Sequence, residues 1–158
     1  MYRGSSLLLK KSVKVYEPLI KYIASKECDV WDIDVDKYNG DNINKLIRCR
    51  KIIVQKLKIK QKNMDTLVTK IMLGVFGNVP AFDTYFKIGS NLGTFNKHSL
   101  EEIYCFYNNA DYSKIVSDEA TKIKTFEYHV GEAGNRSYTK AKIIDMIFFI
   151  EGYKNENR

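Results

Sequence analysis

The sequence holds only two prolines in 158 residues, Pro18 and Pro80. No proline-rich or low-complexity stretch divides it, and no internal repeat is visible. One domain over residues 1–158 is therefore expected, since domains commonly run about 100–200 residues. Cysteine is equally sparse: Cys28, Cys49 and Cys105, with no CxxC. That excludes a disulfide framework and a zinc site and leaves reduced, mostly buried thiols. Long apolar runs are missing as well. The longest, Met146–Ile150, falls far short of the roughly 20 residues a membrane span needs, so no membrane partner is expected. The opening SSLLL run has no small-residue cleavage site after it, so a secretory leader is not expected either. These absences point to a cytoplasmic chain. Nucleotide-loop chemistry is excluded too, because GEAGN lacks the G-x-x-x-x-G-K-[ST] spacing and its lysine. No motif calls for a cofactor.

What the sequence does contain is enough to fold. It is 44% hydrophobic and 13% aromatic, more than a disordered chain carries. A chain of this length removes roughly 70% of its unfolded surface from water. Its net charge is +7 and unevenly spread. Residues 1–63 carry 15 Lys/Arg against 7 Asp/Glu, while residues 64–110 carry 3 against 4 and residues 111–158 carry 8 against 8. Between Asp41 and Asp65 stand eight Lys/Arg and no acid. A one-sided basic element is the electrostatic footprint of a polyanion partner.

Periodicity assigns the fold class. SLLLKKSVKVYEPLIKYIAS has apolar residues near helical spacing, with a break or kink at Pro18, which lacks an amide. In DVWDIDVD, Trp31, Ile33 and Val35 alternate with Asp32, Asp34 and Asp36, an extended pattern near 30–36. Asn39-Gly40 reads as a turn, and Asp41 or Asn42 as the cap of a helix over about 43–60. Asp65 or Thr66 would cap the next helix, stopped by Gly74 and Gly77. Pro80 suits the first turn of a further helix, ended by Gly89. Ser99 and Glu102 have capping-box spacing. Residues 111–135 are ambiguous. Residues 138–153 are apolar nearly all round, a buried closing helix with a central strand as the alternative. The fold expected is mainly α: a single compact multi-helix domain with one short extended segment.

Three groups of residues could carry function. The first is Asp83, just inside the helix after Pro80, beside the glycines Gly74 and Gly77. An acid there favours the positive end of a helix. A glycine-rich corner before it can also present amides to a phosphate. The second is Asp32, Asp34 and Asp36, which fall on one face if the segment is a strand. Such carboxylates could hold Mg²⁺ or Mn²⁺ for phosphodiester cleavage. They are not an EF-hand, because the sixth position, where that loop needs glycine, is Lys37. The third is the basic helix, with Lys45, Arg48, Lys51, Lys56, Lys58 and Lys62 placed to contact phosphates. The aromatics Tyr104, Phe106, Tyr107 and Tyr112 suit base stacking or a core face. His98 reads as local or exposed. His129, near Glu127, Glu132 and Arg136, is the one general acid–base candidate.

Two resemblances add to this. RGSSLLLKK (Arg3–Lys11), WDIDVD (Trp31–Asp36), DTLVTKIMLGVFGNVPAFDTYF (Asp65–Phe86) and KIIDMIF (Lys142–Phe148) resemble an uncharacterised family of small bacterial proteins. That resemblance implies a single domain and no chemistry. Within residues 69–89, an apolar helix, a glycine corner and VPAFDTYF resemble, locally, the helix-hairpin-helix DNA glycosylases. In them a hairpin grips the DNA backbone, and an aspartate at a helix start stabilises positive charge on the sugar. The resemblance implies that role for Asp83, with Gly74 and Gly77 as the hairpin glycines.

The expectation is a small basic protein associated with nucleic acid through residues 45–62, with DNA-processing by Asp83 as its sharper form. One alternative is a non-catalytic module of a bacterial defence or toxin–antitoxin system, its basic face turned to an acidic protein. The other is a metal-dependent nuclease using Asp32, Asp34 and Asp36.

Overall fold

The computed structural model describes residues 12–25, 27–58, 64–127, 129 and 131–156. Among them are seven α-helices and one two-stranded hairpin, which makes the chain a mainly α, compact fold. The helices are α1 (Glu17–Ala24), α2 (Gly40–Leu57), α3 (Asp65–Phe76), α4 (Thr84–Ser90), α5 (Lys97–Asn108), α6 (Ala110–Lys122) and α7 (Lys140–Glu156). Strands β1 (Lys124–Glu127) and β2 (Glu132–Ser137) pair antiparallel, Lys124 opposite Ser137 and Phe126 opposite Ala133. The buried apolar side chains form one cluster, from Leu19 on α1 to Ile144 on α7. Among the described residues no helix is long and apolar enough to cross a membrane.

Side-chain oxygens meet orphan amides at the starts of α2, α4, α5 and α6, and the caps differ from the sequence-based expectation by one to three residues. Asn39, not Asp41 or Asn42, caps α2, its Oδ1 accepting from the Asn42 amide at 2.9 Å. Asn96 caps α5 by accepting from the Ser99 amide, and the Ser99 hydroxyl donates to the Thr94 carbonyl. Helix α3 has no side-chain cap at Met64; Asp65 lies inside its first turn and is buried. Pro18 sits in the first turn of α1 instead of breaking it, where a missing amide costs no bond. The stretch 111–135, unassigned from the sequence, contains most of α6, the strand β1 and the start of β2.

The extended segment expected near 30–36 is not a strand. It is a turn followed by one 3₁₀ turn, Val35–Lys37. Val30, Ile33 and Val35 point into the core while Trp31, Asp32 and Asp36 are exposed. Alternation of this kind has the same sequence signature in a turn that turns every second or third side chain inward.

Helices α4 and α7 cross at two glycines. A Cβ on Gly89 would overlap the Phe148 carbonyl and lie 2.8 Å from the Gly152 amide nitrogen; one on Gly152 would overlap the Tyr85 carbonyl. Gly89 therefore does not end α4, which runs on to Ser90 with Asn91 in the left-handed region. It lets the two backbones touch. Phe148 packs edge-on to Phe86 and against Phe106, closing the crossing from one side. The second half of α7 is less buried than its apolar sequence suggests, with Phe149, Ile150 and Tyr153 exposed.

Gly74 is of the opposite kind. It lies within α3, whose end comes at Gly77, and a Cβ there would meet nothing within 4 Å. Gly74→Ala should therefore stabilise the protein by about 0.5–1 kcal/mol, the helix-propensity difference. A urea titration checks this; a loss of stability would mean that the site is not open.

Candidate nucleic-acid interface

Helix α2 turns its apolar positions Ile43, Leu46, Cys49, Ile53 and Leu57 into the core. The opposite side carries the cations. At about 100° per residue, Lys45, Arg48, Lys51 and Lys56 fall within an arc of roughly 140°, and all four are exposed. The exposed Asn44 and Gln55 lie on the same arc. Lys58 follows the helix in the left-handed region, also exposed. Lys62 lies outside the described residues.

The cations are not equally available. Lys45 pairs with Asp29 at 2.6 Å. The Lys56 ammonium stands 5.6 Å from the centre of the Tyr22 ring, a cation–π position that leaves its charge unneutralised. Arg48, Lys51 and Lys58 have no acidic partner among the described residues. Arg50, in the same basic run, turns the other way. Its Nε and Nη2 donate to Asp65 Oδ1 at 2.9 and 2.6 Å, so it belongs to the fold and not to the face. The aromatics do not join it: Tyr112 stacks on Phe106 with centroids 4.4 Å apart, and Tyr104 and Tyr107 pack against the core.

The corner around Asp83 is built differently from a phosphate grip. Gly77, at φ 67°, caps α3, and its amide donates to the carbonyls of Met72 and Leu73 at 3.1 Å. Residues 78–82 are buried, so their backbone polar groups need protein partners. Tyr38 donates its hydroxyl to the Asn78 carbonyl at 2.6 Å. The Ala81 amide donates to Asp145 Oδ1, and the Phe82 amide to Thr69 Oγ1, both at 2.8 Å. The Thr66 hydroxyl donates to the Phe82 carbonyl. Burial holds the Tyr38 phenol well above its ordinary pKa, with Asp34 adding to the effect, so it stays a donor. Asp83 caps α4: its Oδ1 accepts from the Phe86 amide at 3.1 Å, and its Oδ2 meets Lys70 Nζ at 3.2 Å. The carboxylate is already engaged on both oxygens, and three of the corner's amides donate inward.

Asp32, Asp34 and Asp36 do not converge either. Asp34 caps α7 from a distance in sequence, accepting from the amides of Lys140 and Ala141 at 2.8 and 2.9 Å. Asp36 pairs with Lys140 Nζ at 2.7 Å. Desolvation works against the Lys140 charge, but the Asp36 hydrogen bond and charge outweigh it and raise the pKa. Asp32 is exposed. No group of three or more His, Cys, Asp or Glu among the described residues could hold a metal ion. His98 and His129 are exposed beside Glu102 and Glu127, at 3.9 and 3.7 Å.

Two features escaped the sequence reading. Asp65 and Asp145 are buried acids that hold backbone amides, those of Phe95 and Ala81; the sequence offered Asp65 only as a helix cap and Asp145 only as a charge inside an apolar helix. Cys28 and Cys49, 21 positions apart, meet in the core with sulfurs 3.5 Å apart. Burial, with Cys28 beside it, pushes the Cys49 thiol up, and burial with the Cys28 hydrogen bond does the same for Tyr22.

No protein-family model, curated protein or solved structure matches this chain. The two resemblances therefore rest on the residues that carry them.

Proposed function

We propose that the protein binds nucleic acid through the exposed side of α2, as a phosphate-tracking module without catalysis of its own. The observation that carries this reading is the arc of exposed cations, of which Arg48 and Lys51 have no acidic partner among the described residues. Lys56 and Lys58 extend the arc at its C-terminal end, and Lys45 shares its charge with Asp29. Asn44 and Gln55 add neutral donors between the charges. Lysine-rich contacts of this kind supply affinity and carry no sequence information. The engagement of Asp83 as a helix cap supports leaving it out of the chemistry.

The test is binding of the purified protein to labelled single- and double-stranded DNA and RNA across a salt series. With about four phosphate contacts, the logarithm of affinity for duplex should fall with the logarithm of salt at a slope near −4. Arg48→Gln/Lys51→Gln should weaken binding to every sequence alike and flatten the slope by about 2. Asp83→Asn should bind as the wild type does, because asparagine caps a helix nearly as well as aspartate. Absence of binding at low salt overturns the proposal and leaves the face to an acidic protein or to solvent. Release of a damaged base from duplex DNA, lost in Asp83→Asn, would instead make Asp83 the working group of a glycosylase-like enzyme.

A further inference from the structure

Two of the three cysteines in this chain meet in the core although they come from different elements. Cys28 lies in the turn segment after α1, outside any helix, and Cys49 lies on the inner side of α2. Each is 2% exposed, and their sulfurs are 3.5 Å apart. The Cys28 thiol donates to the Tyr22 hydroxyl oxygen at 3.1 Å. A hydrogen-bonded row, Cys49 to Cys28 to Tyr22, thus joins α2, the turn and α1.

We propose that Cys28 and Cys49 are an oxidisable pair, which a hydroperoxide converts into an intrachain disulfide tying the 27–39 segment to α2. A disulfide needs the sulfurs at about 2.05 Å, so they must approach by about 1.5 Å. Cys28 supplies that movement, because no helix holds its backbone. In the first step the 27–39 segment opens locally so that a hydroperoxide reaches the pair, and one sulfur, as its thiolate, attacks a peroxide oxygen. The O–O bond breaks, and the departing hydroxide takes up the thiol's proton as water, leaving a sulfenic acid. The second sulfur then attacks the sulfenic sulfur. The S–O bond breaks, and the hydroxyl leaves as water with the second thiol's proton. Two thiols and one hydrogen peroxide give one disulfide and two waters. A dithiol reductant reverses the bond by thiol–disulfide exchange.

The exposed Cys105 is an internal reference in the same chain. The reduced wild-type protein is treated with hydrogen peroxide under native conditions, then denatured, alkylated and mapped by mass spectrometry. The expected result is a Cys28–Cys49 linkage with no disulfide from either residue to Cys105. The oxidised protein should melt roughly 5–10 °C higher than the reduced one, because the cross-link constrains the unfolded chain. Cys105→Ser should leave both results unchanged. The proposal is overturned if Cys28 and Cys49 are both still alkylated after Cys105 has been oxidised. It is equally overturned if the native protein yields the same mixture of three linkages as the chain unfolded in urea.

Discussion

Gly152→Ala should lower the stability of this protein by about 3 kcal/mol or more. Overpacking usually costs about 1–3 kcal/mol because neighbouring side chains can shift. Here the obstacle is the Tyr85 carbonyl, part of the backbone of α4, with the Gly89 amide nitrogen 2.9 Å from the added carbon. Neither can rotate aside, so the helices must separate. Separation loosens Phe86, Phe106 and Phe148, whose rings meet beside the crossing. Alanine's better helix propensity returns only about 1 kcal/mol. A melting temperature lower by roughly 6–12 °C should follow, read by far-ultraviolet circular dichroism. Gly89→Ala should behave alike, and the double variant should cost less than the sum, since one separation serves both methyl groups. Melting within a degree or two of the wild type would show that α4 and α7 do not cross at these glycines.

The second large effect is expected at Asp65, which is 6% exposed. One oxygen takes two hydrogen bonds from Arg50, and the other takes the Phe95 amide at 3.0 Å. The carboxylate thereby fastens α2 and the segment before α5 to the start of α3. Phe95 in turn packs edge-on against Phe82 at the centre of the buried corner. Asp65→Ala would leave a partly buried guanidinium without its counter-charge and a buried amide without an acceptor. Breaking a buried pair from one side costs about 3–5 kcal/mol. Arg50→Met alone should also destabilise, by removing the guanidinium that donates twice to the buried acid. Asp65→Leu/Arg50→Met should recover much of the loss, because replacing both partners removes the unpaired charge. Urea denaturation of the four proteins gives the coupling between the two residues. A loss below about 1 kcal/mol in Asp65→Ala would mean that water reaches the pair and screens it.

These two residues mark how far the chain could be read from its sequence. The helical course of α2, α3 and α7 was legible, because their apolar positions recur at helical spacing over enough turns to stand out. The caps were legible as residue types but not as positions. The stretch 39–42 offers Asn39, Asp41 and Asn42, and only the direction in which the chain enters the core selects Asn39. Gly74 and Gly77 looked alike as helix stops, yet one lies in a helix with open space beside it and the other ends that helix at positive φ. The aspartates at 32, 34 and 36 alternated like one face of a strand. In the fold, two of them instead hold the start and the first lysine of α7, more than a hundred residues away.

By itself the sequence determined what local rules govern: a mainly α chain, a strongly basic second helix, and no apolar stretch long enough to cross a membrane. Those properties depend on composition and on spacings of three or four residues. The tertiary structure alone decided which charges remain outside. Arg50 and Arg48 are two positions apart and chemically identical, but α2 turns one toward Asp65 and the other toward water. It also decided that Asp83 meets Lys70, that Gly89 and Gly152 are a helix crossing, and that Cys28 and Cys49 are neighbours. Each of these is a contact between residues distant along the helix surface or the chain. Their energies arise from close packing and burial, and no periodicity within one segment encodes which partner a side chain will find.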